Sequence, residues 1–308
     1  MKKKLIAVVG PTASGKTALA IEIAKKLSGE VISADSMQIY EGMDIGTAKP
    51  SLSERQGIVH HMIDIVKPNV RFSVADFVDM ARKCIDDCFR RDVLPIIAGG
   101  TGLYVDSILN NIDFGEFEGD AAFCEEMKKL AEREGNLAVH NILLGKDPLA
   151  AEKIHPNNVR RVIRALEVCH ITGKTFTEVN EESRRETLYD ALVLGIDTDR
   201  EVLYKRIDAR VDLMMKDGLV DEVKALWESG LGKETTAMQA IGYKELVEYF
   251  EGKANFLDAV EKIKQESRRY AKRQLTWFRR NSDIKWVKPT DSEAMDVILK
   301  MCRDFLRE

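Results

Sequence analysis

Eight residues near the N-terminus, Gly10-Pro-Thr-Ala-Ser-Gly-Lys-Thr17, have the spacing of a phosphate-binding loop. Glycines in such a loop let backbone N–H groups approach phosphate oxygens, and a helix opening beside it turns the positive end of its dipole on the same anion. Lys16 adds a point charge, and Thr17 a hydroxyl able to ligate Mg²⁺. The apolar run at 5–9 reads as a buried parallel strand, and helical periodicity follows through Leu19, Ile23, Ala24 and Leu27. Strand, loop and helix in this order make a polyphosphate the expected ligand.

A nucleotide hydrolase expects a carboxylate at the end of a neighbouring strand to help hold magnesium. The apolar run 93–98 ends instead in Gly99-Gly-Thr-Gly102. A carboxylate stands at Asp35, after the apolar run 31–34, with Ser36 beside it. In a parallel sheet both strand ends open onto the crevice next to the phosphate loop. Asp35 there suits a general base acting on an acceptor, and Thr101 a hydrogen-bond donor to a leaving oxygen. A turn cap for Asp35 and an ordinary loop hydroxyl for Thr101 are the alternatives that position alone leaves open.

The elements that must hold these groups follow the same alternation. A further strand is expected at 191–196, and Ser73-x-x-Asp76 is a capping-box variant opening a helix through Val78, Ala81, Ile85 and Phe89. Strands alternating with helices predict an α/β fold with a parallel sheet flanked by helices. The rhythm breaks at the glycine-rich, acidic segment Phe114-Gly-Glu-Phe-Glu-Gly-Asp120. From 121 to about 177 the pattern is helical without a strand. We therefore expect a helical insertion at 114–185 within a phosphate-loop core formed by 1–113 and 186–308. After Asp199 the core ends in helices at 202–216, 220–228, 243–250 and 257–280.

A chain of 308 residues with 44% hydrophobic and 32% charged residues matches an ordinary soluble protein. Its net charge of −4 gives no global field for nucleic acid, so any basic surface must be local. Cys84, Cys88, Cys124, Cys169 and Cys302 form no C-x-x-C, and an odd number of thiols with no signal peptide suggests a reducing cytoplasm. Cys84 and Cys88 share a helix face and read as core thiols, since no histidine stands at ligand spacing. The adjacent His60 and His61 point to different faces and read as structural. No segment approaches the roughly 20 apolar residues of a membrane span.

Longer segments narrow the reading. The phosphate loop, Ser33-Ala-Asp-Ser-Met-Gln-Ile-Tyr40, Asp44-Ile-Gly-Thr-Ala-Lys49, His60-His-Met-Ile-Asp64 and Gly99-Gly-Thr-Gly-Leu-Tyr104 resemble the tRNA dimethylallyltransferases. So do Val159-Arg-Arg-Val-Ile-Arg-Ala-Leu-Glu-Val168, Gln239-Ala-Ile-Gly-Tyr-Lys-Glu245 and Arg269-Tyr-Ala-Lys-Arg-Gln-Leu-Thr-Trp-Phe-Arg279. The resemblance spans nearly the whole chain, in the family's order. No cysteine- and histidine-rich zinc extension accompanies it, which fits the bacterial form. It implies transfer of a dimethylallyl group from dimethylallyl diphosphate to N6 of the adenosine 3′ of the anticodon, with Mg²⁺ as cofactor and tRNA as partner. Gly10, Pro11, Thr12, Ala13, Ser14, Gly15, Lys16 and Thr17 would then hold the donor's diphosphate rather than ATP. Asp35 matches the family's base and Thr101 the residue near the bridging oxygen, with Lys16, Arg210 and Thr17-bound Mg²⁺ stabilising the leaving group.

The same resemblance places tRNA contacts at Asp35, Ser36, Met37, Gln38 and Thr101, where a flipped adenosine would enter. Further contacts are expected at Arg160, Arg161 and Arg164, and at Gln239, Gly242, Lys244 and Arg273. The segment 262–280 adds a cationic strip opposed by little beyond Glu266, interleaved with Tyr270, Trp277 and Phe278, whose spacing suits base contact or a buried face. A monomer would suffice. An isopentenyltransferase acting on free AMP, ADP or ATP, a small-molecule kinase on the same core, and an RNA-binding module with an idle phosphate loop are the competing readings.

Overall fold

The structure, a computed structural model, describes residues 2–112, 119–183 and 185–308. It divides into two compact units, 1–109 with 188–308, and 110–187. Most of the expected acidic break at 114–120 lies outside the described residues.

The larger unit begins with β1 (Lys3–Val9), α1 (Lys16–Leu27), β2 (Gly29–Ser33), β3 (His60–His61), α2 (Val74–Arg90), β4 (Leu94–Gly99) and α3 (Gly102–Leu109). The smaller unit holds α4 (Ala121–Glu134), α5 (Asn136–Lys146), α6 (Pro148–Lys153), α7 (Val159–Thr172) and α8 (Phe176–Glu182), with no strand among its described residues. The larger unit resumes with β5 (Tyr189–Ile196), α9 (Arg200–Lys216), α10 (Leu219–Glu228), α11 (Tyr243–Phe250), α12 (Phe256–Phe278), β6 (Lys285–Val287) and α13 (Ser292–Arg307).

The six strands of the described residues are all parallel, in the order β3-β2-β4-β1-β5-β6. β1 sits between β4 and β5 with Leu5 to Val9 fully buried, as its unbroken apolar run requires of a strand covered on both faces. β1 and β4 end in register, Val9 opposite Gly99, which brings their following loops side by side. Ile6, Val8, Leu19, Ile23, Ile96 and Leu194 pack as one core, which α13 closes with Ile298, Leu299 and Cys302. A second core joins Ile39, Tyr40 and Met43 to α9, α10, α11 and α12 through Val211, Val223, Tyr243 and Ile263. The α2 helix opens with the expected capping box, Ser73 and Asp76 each bonding the other's backbone N–H.

Three elements depart from the sequence expectation. The edge strands β3 and β6 have two and three residues, too short to show alternation, and α13 lies beyond the last expected helix. The smaller unit has its own core of Val139, Leu143, Val162, Ala165 and Leu166. Asn111 Nδ2 donates to the Glu186 carbonyl at 2.7 Å, tying together the segments by which the chain enters and leaves that unit.

Candidate active site

The phosphate loop spans the end of β1 and the start of α1. Within it Ser14 is buried, and its Oγ has no hydrogen-bond partner among the described residues. An orphaned hydroxyl in a glycine loop at a helix N-terminus suits a phosphate oxygen. Lys16 Nζ folds back on the Pro11 carbonyl at 3.3 Å. Burial pushes its pKa down to about 8, the charge of Arg210 works in the same direction, and Asp35 opposes both. An arriving anion therefore meets an ammonium short of counter-charge.

A cleft of about 780 Å³ opens over this loop. Thr12, Ala13, Gly15, Lys16 and Thr17 line one side, with Arg210 on α9 and Asp35 and Gln38 after β2. Ile21, Ile45, Leu213 and Met214 supply an apolar share, and Lys49, Asp44 and Asp64 a charged one. Lys49 Nζ is held by the Tyr40 carbonyl at 2.9 Å, by Asp44 at 2.5 Å and by Asp64.

Asp35 Oδ1 accepts the N–H groups of Met37 at 2.9 Å and Gln38 at 3.4 Å. That is a turn cap, and it leaves Oδ2 without a bond among the described residues. Capping and proton acceptance are therefore compatible, one oxygen for each. Gln38 is pinned in turn, accepting from Ser33 Oγ at 3.0 Å and donating to the carbonyls of Thr47 and Ala48 at 3.3 Å. Thr101 does not line the cleft. Its Oγ1 accepts the Ser36 N–H at 3.1 Å and donates to Ser36 Oγ at 3.3 Å, bracing the turn that carries Asp35.

Close approach explains the glycines at 99 and 100. A Cβ on Gly99 would overlap the Ala34 carbonyl, and one on Gly100 would overlap the Gln274 amide. Tyr270, one turn before Gln274, is held up at about 12 by burial and by the charge of Asp35.

The remaining expected contacts are dispersed. Gln239 is exposed and donates to the Lys233 carbonyl at 2.7 Å, whereas Gly242 is buried and its N–H is capped by Glu245 at 2.8 Å. Lys244 lies 3.6 Å from Glu245. On α7, Arg160 and Arg161 are exposed without ion pairs among the described residues, and Arg164 binds Glu167 at 2.6 Å. The cationic strip on α12 needs correction. Asp208 and Asp212 on α9 neutralise Arg268 and Lys264, and Arg269 pairs with Glu266 at 2.6 Å. Its aromatics turn inward: Phe278 is buried, and Trp277 Nε1 donates to Asp106 at 2.7 Å. Lys262, Lys272, Arg273, Arg279 and Arg280 stay on the outer face, with Arg273 over the Tyr270 ring.

Cys88 is buried, as a core thiol should be, but a histidine distant in sequence lies beside it. His61, Glu30 and Cys88 offer ligand atoms within 4.8 Å of one another. Arg91 already forks both Glu30 oxygens at 2.6 and 2.7 Å, while His61 Nε2 lies 2.7 Å from one of them. Chiefly through Arg91, the Glu30 carboxyl is held down at about 2. The cluster ties edge strand β3 to β2 and α2, at the far end of β2 from Asp35.

A parallel sheet with a loop of phosphate-binding spacing after its first strand, and a carboxylate in the cleft over that loop, defines a phosphate-loop α/β protein. The family model described as IPP transferase matches residues 38–281, and one described as Isopentenyl transferase matches 3–67. A tRNA dimethylallyltransferase of Bacillus cereus (strain B4264) is 51% identical over 299 residues, covering 97% of this chain and 94% of the relative. The full-length tRNA isopentenylpyrophosphate transferase of Bacillus halodurans superposes with a TM-score of 0.76 at 43% identity, covering 99% and 97% of the two chains. A eukaryotic dimethylallyltransferase acting on tRNA superposes with a TM-score of 0.83 at 32% identity, covering 99% of this chain and 80% of that one. The chain belongs to the IPP transferase family of tRNA dimethylallyltransferases. Among the described residues no helix is long and apolar enough to cross a membrane.

Proposed function

We propose that the protein transfers a dimethylallyl group from dimethylallyl diphosphate to N6 of the adenosine immediately 3′ of the tRNA anticodon. The products are N6-(dimethylallyl)adenosine and diphosphate. The observation that carries this reading is one cleft holding the phosphate loop, Arg210 and Asp35, with an apolar share beside them. N6 attacks the allylic carbon, the bond from that carbon to the diphosphate oxygen breaks, and the N6 proton passes to Asp35. A positioned base of this kind contributes about 10²- to 10⁴-fold. Lys16, Arg210 and the loop N–H groups receive the growing charge on the diphosphate. Ile21, Ile45, Leu213 and Met214 offer the prenyl chain a wall, and burying five carbons contributes about 3–4 kcal/mol.

The hydroxyl of Thr17, which lines the same cleft, would hold Mg²⁺ beside the diphosphate. Bound there with the diphosphate, the ion would offset charge on the leaving group. Thr101 acts by bracing the turn at Ser36. The adenosine must leave its stack to reach Asp35, entering along Ser36, Met37 and Gln38. Arg160, Arg161 and Arg164 in the smaller unit, and Lys244 and Arg273 in the larger, hold RNA phosphates, with Gln239 and Gly242 shaping the adjoining loop. Every group used lies in one chain, so a monomer suffices, and a tRNA substrate with five free thiols suits the cytoplasm.

Isopentenyl transfer, the activity by which the model matched at 3–67 is described, leaves room for a second reading with free AMP, ADP or ATP as acceptor. Incubation with Mg²⁺, radiolabelled dimethylallyl diphosphate and either unmodified tRNA or AMP separates the two. Label in tRNA alone is expected. Label in AMP alone would replace the first reading with the second, and label in neither would reopen a kinase.

A further inference from the structure

Gln274 lies on α12, far from the phosphate loop in sequence and only 5% exposed. Its Oε1 accepts the Thr12 N–H at 2.8 Å, and its Nε2 donates to the Gly100 carbonyl at 2.9 Å. One amide thus spans the two loops that end β1 and β4. Thr12 lies in the diphosphate-binding segment, and Gly100 precedes the Thr101 that braces the Asp35 turn. Neither loop bonds the other directly by a side chain among the described residues. Three neighbours fix the amide: Ala271 packs with Ala13, Leu203 and Ile207 one turn earlier, Gly100 leaves room for Nε2, and Trp277 is anchored to Asp106 one turn later.

We propose that Gln274 is a positioning residue that sets the distance and angle between the diphosphate loop and the Thr101–Ser36–Asp35 relay, and so between leaving group and base. This rests on the proposed transfer reaction. Only a carboxamide of this length serves both loops. As a carboxylate, glutamate keeps the acceptor for Thr12 but offers Gly100 no donor, and asparagine is one methylene too short to span them. A misplacement of about 1 Å between reacting groups can cost on the order of 10²-fold in rate.

The test compares wild type, Gln274→Asn and Gln274→Glu in tRNA labelling, in binding of inorganic diphosphate and in thermal melting. For both variants, kcat should fall about 10- to 100-fold with KM for tRNA within twofold, and the fall should persist when each variant is assayed well below its own melting midpoint. A cycle with Thr101→Ala separates positioning from bulk stability: the Gln274→Asn loss should shrink in that background, since the relay is already broken. Wild-type kcat in both variants, or losses that simply multiply in the double variant, would overturn the proposal. Failure of the wild-type protein to label tRNA would defeat the transfer reading instead. Diphosphate affinity then decides Gln274: weakened binding in both variants supports its role, and unchanged binding removes it.

Discussion

The loop at 44–46 enters the cleft wall, and what holds it is Glu222 on α10. Glu222 Oε2 accepts the N–H groups of Asp44 at 2.9 Å and Ile45 at 2.8 Å. Oε1 accepts Gly46 N–H at 3.0 Å and the Tyr243 hydroxyl at 2.6 Å. Three successive amides form a nest around one carboxylate, and Gly46 is required because a Cβ there would overlap the Tyr243 ring. In Glu222→Ala all four donors lose a charged acceptor. A stranded donor costs about 1–3 kcal/mol. The amides at the exposed rim can find water, so the enclosed Gly46 N–H and the fully buried Tyr243 hydroxyl dominate, and the loop should lose about 2–4 kcal/mol. At 1.4 kcal/mol per tenfold, amide hydrogen exchange across 44–46 should accelerate about 30- to 1000-fold, while the β1 core exchanges as before. Glu222→Gln should rescue little, because its NH₂ must face one pair of donors. The loop also supplies, through Thr47 and Ala48, the carbonyls that hold Gln38, so tRNA labelling should fall in parallel. Exchange within twofold of wild type in Glu222→Ala, or full protection in Glu222→Gln, would refute the reasoning.

Three further outcomes test the site. Asp35→Ala should lower labelling of tRNA about 10²- to 10⁴-fold with tRNA affinity nearly intact in a filter-binding assay; wild-type turnover would remove Asp35 as base. Lys16 binds its proton less tightly in the free protein than its ordinary 10.5, at about 8. As pH rises through 8 the ammonium is lost, so calorimetry should show diphosphate affinity falling above that value and proton uptake on binding; affinity flat to pH 10 would contradict this. Replacing Arg160 and Arg161 by Gln should weaken tRNA binding and flatten its salt dependence by about 0.7–0.9 log units for each phosphate no longer neutralised; an unchanged slope would make both merely solvated.

What is legible in the sequence is local. The phosphate loop is contiguous, and its strand and helix carry unbroken periodicity on either side. Asp35 is visible because it follows an apolar run directly. Position alone offers it two roles, cap and base, and only the folded geometry separates the capping Oδ1 from Oδ2, which has no bond among the described residues. β3 and β6 escape because two or three residues carry no period, and they exist only through pairing with β2 and β5. The α12 strip misleads for a similar reason. Its opposing carboxylates, Asp208 and Asp212, sit more than fifty residues earlier on another helix.

Gln274 shows the limit most clearly. In the sequence it is one polar residue in a basic helix, and a polar residue there most often faces water. What marks it is a pair of observations, glycine at 100 and a buried amide on α12, that gain meaning only when they touch. Each alone has an ordinary explanation, a turn for the glycine and a solvated face for the glutamine. Together they are what would make α12 part of the catalytic frame.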